Sequence, residues 1–225
     1  MTGYFLIIGL FSLVGMGISM RLRSKFSQYS KVGLRSGMSG AEIAEAMLRY
    51  YGINDVRITE GQGSLTDHYN PLNKTVNLSP DVYQGRSVAA AAVAAHECGH
   101  AVQHANAYAM LQVRSVLAPV VRVASSLQQY LLLFALGAFG IQGGQTLLLI
   151  TIIVFGVTTV FSLITLPVEF DASRRALVWL DQSGMARGEE YKGAKDALWW
   201  AAMTYVVAAL SALVTLLYLV LRMNK

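Results

Sequence analysis

Four stretches of this chain are almost free of charge, and the polar residues gather between them. Tyr4–Met20 carries no charge and is followed at once by Arg21, Arg23 and Lys25. Its length is close to the lower limit for a membrane-spanning helix, about 17–25 residues. Leu127–Ile141 reads as the core of a second span that begins near Val116. The uncharged hairpin Gln142-Gly143-Gly144-Gln145 leads into a third, which runs to Leu166 and is closed by Pro167. Ala197–Leu221 is a fourth, with Trp199 and Trp200 at its start, where an aromatic belt is expected. The pattern predicts transmembrane helices at about 4–20, 116–141, 145–166 and 198–221.

The polar parts, 21–115 and 167–197, have their own periodicities. Ser24–Gly37 reads as a juxtamembrane linker. Ser39-Gly-Ala-Glu42 is a capping box opening a helix that reaches about Tyr51 and stops at Gly52. Val56–Glu60 alternates, Gly61 and Gly63 interrupt it, and Ser64–Tyr69 can extend again. Asn70–Asn73 reads as a turn and Lys74–Ser79 as a third strand, which predicts a small antiparallel sheet with an edge able to accept an extended peptide. Ser87–Gln103, largely alanine and valine, reads as a buried helix. Leu177–Lys195 reads as charged helix broken near Ser183-Gly184. The fold class predicted is mainly α: one multi-pass membrane domain over 1–225, with four transmembrane helices and a zincin-like catalytic region holding the small sheet.

Composition agrees. The chain is 54% hydrophobic and 14% charged, with a mean hydropathy of +0.45. That is too apolar for an ordinary soluble domain. The net charge of +5 comes without a basic patch interleaved with aromatics, so no nucleic-acid partner is expected. The positives flank apolar runs instead, as topology signals do. Eleven Lys/Arg fall between Arg21 and Arg122 and none in the hairpin at Gln142. This puts the polar parts in the cytoplasm, the termini outside, and the protein in the cell membrane. An uncleaved N-terminal anchor is favoured over a signal peptide, because the positive residues follow the first apolar run rather than precede it. The single cysteine, Cys98, permits no intrachain disulfide and reads as a small buried filler.

The chemistry lies in His96-Glu97-Cys98-Gly99-His100. Residues four apart share a helix face, so His96 and His100 can hold one ion from consecutive turns. Two imidazoles, a third protein ligand and an open position suit Zn2+. Glu97 then stands close enough to act as general base. Gly99 leaves room for a close neighbour. A buried helix carrying two histidines and a glutamate needs a reason to do so. His104 lies on the same helix but does not converge with the other two, and reads as a supporting or surface residue. A metzincin is excluded because the position ten after His96 is Asn106.

For the third ligand, Pro167-Val-Glu169-Phe-Asp171-Ala-Ser-Arg174-Arg175 offers two carboxylates. They point roughly opposite ways on a helix, so only one can face the metal. Glu169 is the candidate, with Asp171 pairing to Arg174 or Arg175. Two predicted spans separate His96 from Glu169, and an even number returns the chain to the same side. His68, in Thr66-Asp67-His68-Tyr69, is a candidate donor to an oxyanion, with a locally hydrogen-bonded role as the other reading.

Nearly the whole chain resembles the YugP-type family of bacterial membrane zinc metallopeptidases. The matching stretches are Ser36–Glu42, Leu65–Tyr69, Ser87–His104 and Leu166–Arg175. The resemblance implies a zinc-dependent protease embedded in the bilayer. More distantly, the layout is similar to HtpX-type and CAAX-prenyl proteases, which also place two spans between H-E-x-x-H and a ligand glutamate. In those families an aspartate four residues after that glutamate orients a zinc histidine; here the position is Ser173, and Asp171 is the alternative. The expected activity is gluzincin-like hydrolysis of membrane or membrane-proximal proteins. The competing readings are a membrane scaffold with a non-catalytic metal site and a zinc hydrolase of a lipid or small amide.

Overall fold

A computed structural model describes residues 2–137 and 143–223. The end of the second predicted span and the hairpin at Gln142 fall partly outside these residues. In chain order the elements are α1 (Thr2–Ser30), α2 (Gly40–Tyr50), β1 (Arg57–Glu60), β2 (His68–Asn70), β3 (Thr75–Leu78), α3 (Pro80–Tyr83), α4 (Val88–Ala105), α5 (Ala109–Gly137), α6 (Gly144–Gln182) and α7 (Glu189–Met223). Four of them, α1, α5, α6 and α7, are long and apolar enough to cross a membrane. The protein is thus mainly α with four candidate spans, as the apolar runs predict.

The helices overrun the apolar runs. α1 carries its cationic end on to Ser30, where a linker is expected, and α5 starts at Ala109 and passes through Pro119. α6 passes through Pro167 rather than ending there. Proline removes one N–H from the ladder, and in apolar surroundings neighbouring groups and local adjustment absorb the loss. Glu169 and Asp171 are therefore interior residues of a 39-residue helix. The break at Ser183-Gly184 is present: Gly184 adopts φ +75°, and α7 begins at Glu189.

The chain forms two compact units. One comprises Met1–Ile18, Gln112–Pro167 and Thr204–Lys225. Its small packed cluster joins Tyr4, Leu132, Leu148, Phe155 and Leu219, while Leu6, Leu13, Val116, Leu133 and Leu217 point outward. This is the pattern of a lipid-facing surface. The other comprises Ser19–Leu111 and Val168–Met203. Its core lies around α4: Ile43 and Met47 of α2, Val76 and Leu78 of β3, Val82 of α3, and Trp179 and Leu180 of α6 are all buried in one cluster with the alanines of α4. Small side chains along α4 permit packing on all sides, which is why an 18-residue helix can be almost wholly covered.

The capping box forms as predicted. The Ser39 hydroxyl accepts from the Glu42 amide at 3.3 Å, and Glu42 accepts from the Ser39 amide at 2.6 Å. Ser87 caps α4 in the same way, accepting from the Ala90 amide.

The sheet differs from expectation. Its order is β1-β3-β2; β2 pairs antiparallel with β3, but β1 pairs parallel to it. The tight Asn70–Lys74 turn joins β2 to one side of β3, leaving only the far side of β3 for β1. Residues 61–67 reverse the chain between β1 and β2, and Asp67 pins this loop by accepting from both the Ser79 amide and hydroxyl. The Lys74–Ser79 strand is consequently central and has no free edge; the edges are β1 and β2.

Candidate metal centre

All the candidate site residues lie in the unit containing α4. His96 and His100 occupy consecutive turns of α4, and Glu169 reaches them from α6. Gly99 makes this approach possible. A Cβ there would stand 2.5 Å from the carbonyl oxygen of Ala172 in α6, closer than real contacts allow. The room that Gly99 leaves is filled by the backbone of the helix that carries Glu169.

Glu169 Oε2 lies 3.3 Å from His96 Nε2 and 3.7 Å from His100 Nε2. Among the described residues, His96, His100 and Glu169 are the group whose ligand atoms converge, all within 4.8 Å of one another. Tetrahedral zinc with bonds of about 2.0–2.1 Å requires ligand atoms roughly 3.3 Å apart, so the donor set and spacing fit this ion. Glu169 is buried, as is His100, and a buried carboxylate needs such partners.

The outer nitrogens of both imidazoles are also engaged. His96 Nδ1 lies 3.1 Å from the Ser173 hydroxyl, one helical turn beyond Glu169. His100 Nδ1 lies 3.0 Å from Gln103 Oε1. Gln103 in turn donates from Nε2 to Val168 O at 2.8 Å and to Asp171 Oδ2 at 2.9 Å. Asp171 is clamped by Arg174 at 2.5 Å and by Arg175 at 2.6 Å. Ser173 and Asp171 thus divide the support, Ser173 reaching His96 directly and Asp171 reaching His100 through Gln103. Gln103 escapes sequence reading. Its one available signal is its place three residues after His100, on the same helix face.

Glu97 points toward the sheet. Its Oε2 accepts the Tyr69 backbone amide at 2.9 Å. Tyr69 stands opposite Val76 in the β2–β3 register, with its amide turned away from β3 toward α4. The Tyr69 hydroxyl lies 2.7 Å from His104 Nδ1, and burial pushes its pKa up to about 12. His104 therefore meets Tyr69 and does not join the His96–His100–Glu169 group. His68 is exposed; its Nδ1 bonds Thr66 O at 2.8 Å and its Nε2 lies 3.3 Å from Asn77 Nδ2. Both are local bonds. Cys98 is fully buried among α2 residues with its thiol toward Ala44 O, and burial drives its pKa up.

The described residues combine four candidate membrane spans with two histidines and a glutamate that could hold a metal ion. Comparison with known proteins narrows this. The model of the family described as "Putative neutral zinc metallopeptidase" matches residues 4–224. The chain is 41% identical over 214 residues to the Bacillus subtilis (strain 168) protein described as "Putative membrane protease YugP", covering 93% of each chain. The chain belongs to this zinc metallopeptidase family, and its cofactor is zinc. No solved structure matches it.

Proposed function

We propose that the chain is a gluzincin-like membrane endopeptidase in which His96, His100 and Glu169 hold zinc and Glu97 is the general base. The observation that carries this reading is the convergence of Nε2, Nε2 and Oε2 at 3.3 and 3.7 Å, one residue from a carboxylate held in place by an edge strand. Two imidazoles and one carboxylate leave a fourth position open. Zinc held by these three residues would lower the pKa of a bound water to about 7 and polarise a carbonyl. Glu97 takes the proton of the attacking water and delivers it to the leaving amine. The Tyr69 amide fixes one oxygen of Glu97 and leaves the other to carry that proton.

The substrate is an extended segment of a membrane or membrane-proximal protein. The docking strand in this reading is β2, because it is an edge of the sheet and stands beside Glu97. A peptide paired along that edge presents its backbone carbonyls beside Glu97.

Zinc content by elemental analysis tests the ligand set. Wild type and Asp171→Ala are expected to hold about one zinc per chain, Asp171→Ala more weakly, and Glu169→Ala to lose it. Zinc retained by Glu169→Ala would remove Glu169 from the set.

The excess of Lys/Arg in the segments between the first and second spans supports a cytoplasmic site. A cysteine placed at exposed Leu72 should resist an impermeant thiol reagent in intact cells and react after lysis; buried Cys98 gives little background. Labelling in intact cells would reverse the assigned orientation.

A further inference from the structure

Gln103 is fully buried, at 0 % exposure, and both ends of its amide are used. One end faces Val168 O at 2.8 Å and Asp171 Oδ2 at 2.9 Å. A peptide carbonyl can only accept, so the group facing it must be the NH2. This removes the usual ambiguity between the amide oxygen and nitrogen. The other end, facing His100 Nδ1 at 3.0 Å, is then the carbonyl oxygen. An amide oxygen only accepts, so His100 Nδ1 must carry the proton. In the neutral ring that leaves Nε2 bare, and Nε2 is the atom directed at Glu169.

From this we infer that Gln103 is a positioning residue that locks His100 in the Nδ1–H tautomer before any metal arrives. It thereby ties the metal centre to Asp171 and the two arginines that clamp it. Ser173 cannot impose the same lock on His96, because a hydroxyl both donates and accepts. The two histidines are therefore prepared unequally: His96 is oriented, whereas His100 is oriented and fixed in protonation site. The bond Gln103 makes to Val168 O adds a second function. It anchors α4 to the turn of α6 that carries Glu169, so one side chain sets both the ligand and its neighbour. Outer-sphere partners of metal-bound histidines are generally worth about 10–100-fold in metal affinity.

The inference rests on the reading of His96, His100 and Glu169 as ligands, but its first test does not require metal. The chain has four histidines, so ring-15N-histidine labelling gives a small set of NMR signals, with His100 assigned by its loss in His100→Gln. In metal-free wild type, His100 is expected to carry a proton at Nδ1. In Gln103→Met, of similar volume but without an acceptor, that preference should be lost. The zinc Kd, measured by competition with a chelator, should weaken about 10–100-fold. A His100 whose Nδ1 is bare in metal-free wild type, with its only proton at Nε2, would overturn the inference. So would a Gln103→Met protein that melts at lower temperature but keeps both the tautomer and the wild-type zinc Kd, because that is a purely structural role. If wild type shows the tautomer but binds no zinc, the ligand reading fails and the lock stands.

Discussion

The two units of this protein use polar groups in opposite ways. In the apolar unit, Thr158, Ser162 and Thr165 each donate to a carbonyl three or four residues earlier in the same helix. Thr151 does the same, with a longer second contact to Leu131 O on α5. In the unit built around α4 many polar bonds join distant parts of the chain. Tyr69 meets Glu97, Asp67 meets Ser79, Gln103 meets Asp171, and Tyr29 meets Asp196 at 2.7 Å. The difference follows from the surroundings. A hydroxyl on a lipid-facing helix needs a partner that is always within reach, and its own helix supplies one. A catalytic centre needs donors and acceptors at fixed separations, which only different elements can hold. The first arrangement is expected to tolerate substitution better than the second.

That contrast can be broken most severely at Glu97. Glu97→Gln keeps the shape and removes the proposed base. Cleavage of a fluorogenic peptide should fall about 10²–10⁴-fold while zinc content stays at the wild-type level. Activity within a few fold of wild type would assign the proton transfer elsewhere.

Gly99→Ala tests the close approach of α4 and α6. The added methyl meets the Ala172 carbonyl at 2.5 Å, so the helices must separate. Overpacking of this kind costs about 1–3 kcal/mol. The melting temperature in detergent should drop and zinc occupancy with it, because separation pulls Glu169 from the histidines. An unchanged melting temperature would mean that the α4–α6 contact is looser than described.

The mildest change is expected in the apolar unit. Thr158→Val removes a hydroxyl bonded only within α6, to Phe155 O. The carbonyl keeps its helical partner, so stability should move by no more than about 0.5 kcal/mol and zinc content not at all. A large loss would show that the hydroxyl has a role beyond its own helix.

Much of the architecture is legible along the chain. Charge-free runs mark the spans, since the bilayer core requires continuous apolar length. The Ser39–Glu42 box, the stop at Gly52 and the break at Ser183-Gly184 follow from local backbone chemistry, and each is where the residues predict. Other features are not local. Pro167 marks a helix end in water, yet α6 continues through it, because helix continuity there is decided by apolar surroundings. The parallel pairing of β1 depends on which side of β3 the turn at Asn70–Lys74 leaves available, and strand alternation is blind to that choice.

The centre divides along the same line. H-E-x-x-H by itself determines that two imidazoles share a face and that a carboxylate follows the first, because helical periodicity fixes both within one turn. Glu169 and Asp171 are visible as candidates, being the carboxylates of one short stretch beyond an even number of spans. Only the tertiary structure decides between them. Glu169 is aimed at the histidines, while Asp171, two residues on, is aimed at Gln103, Arg174 and Arg175. Only the tertiary structure brings in Ser173, Gln103 and the Tyr69 amide, because hydrogen bonds between α4, α6 and β2 depend on how those elements pack. The sequence specifies which groups can do chemistry; the packing of Gly99 against Ala172 sets the distances at which they can do it.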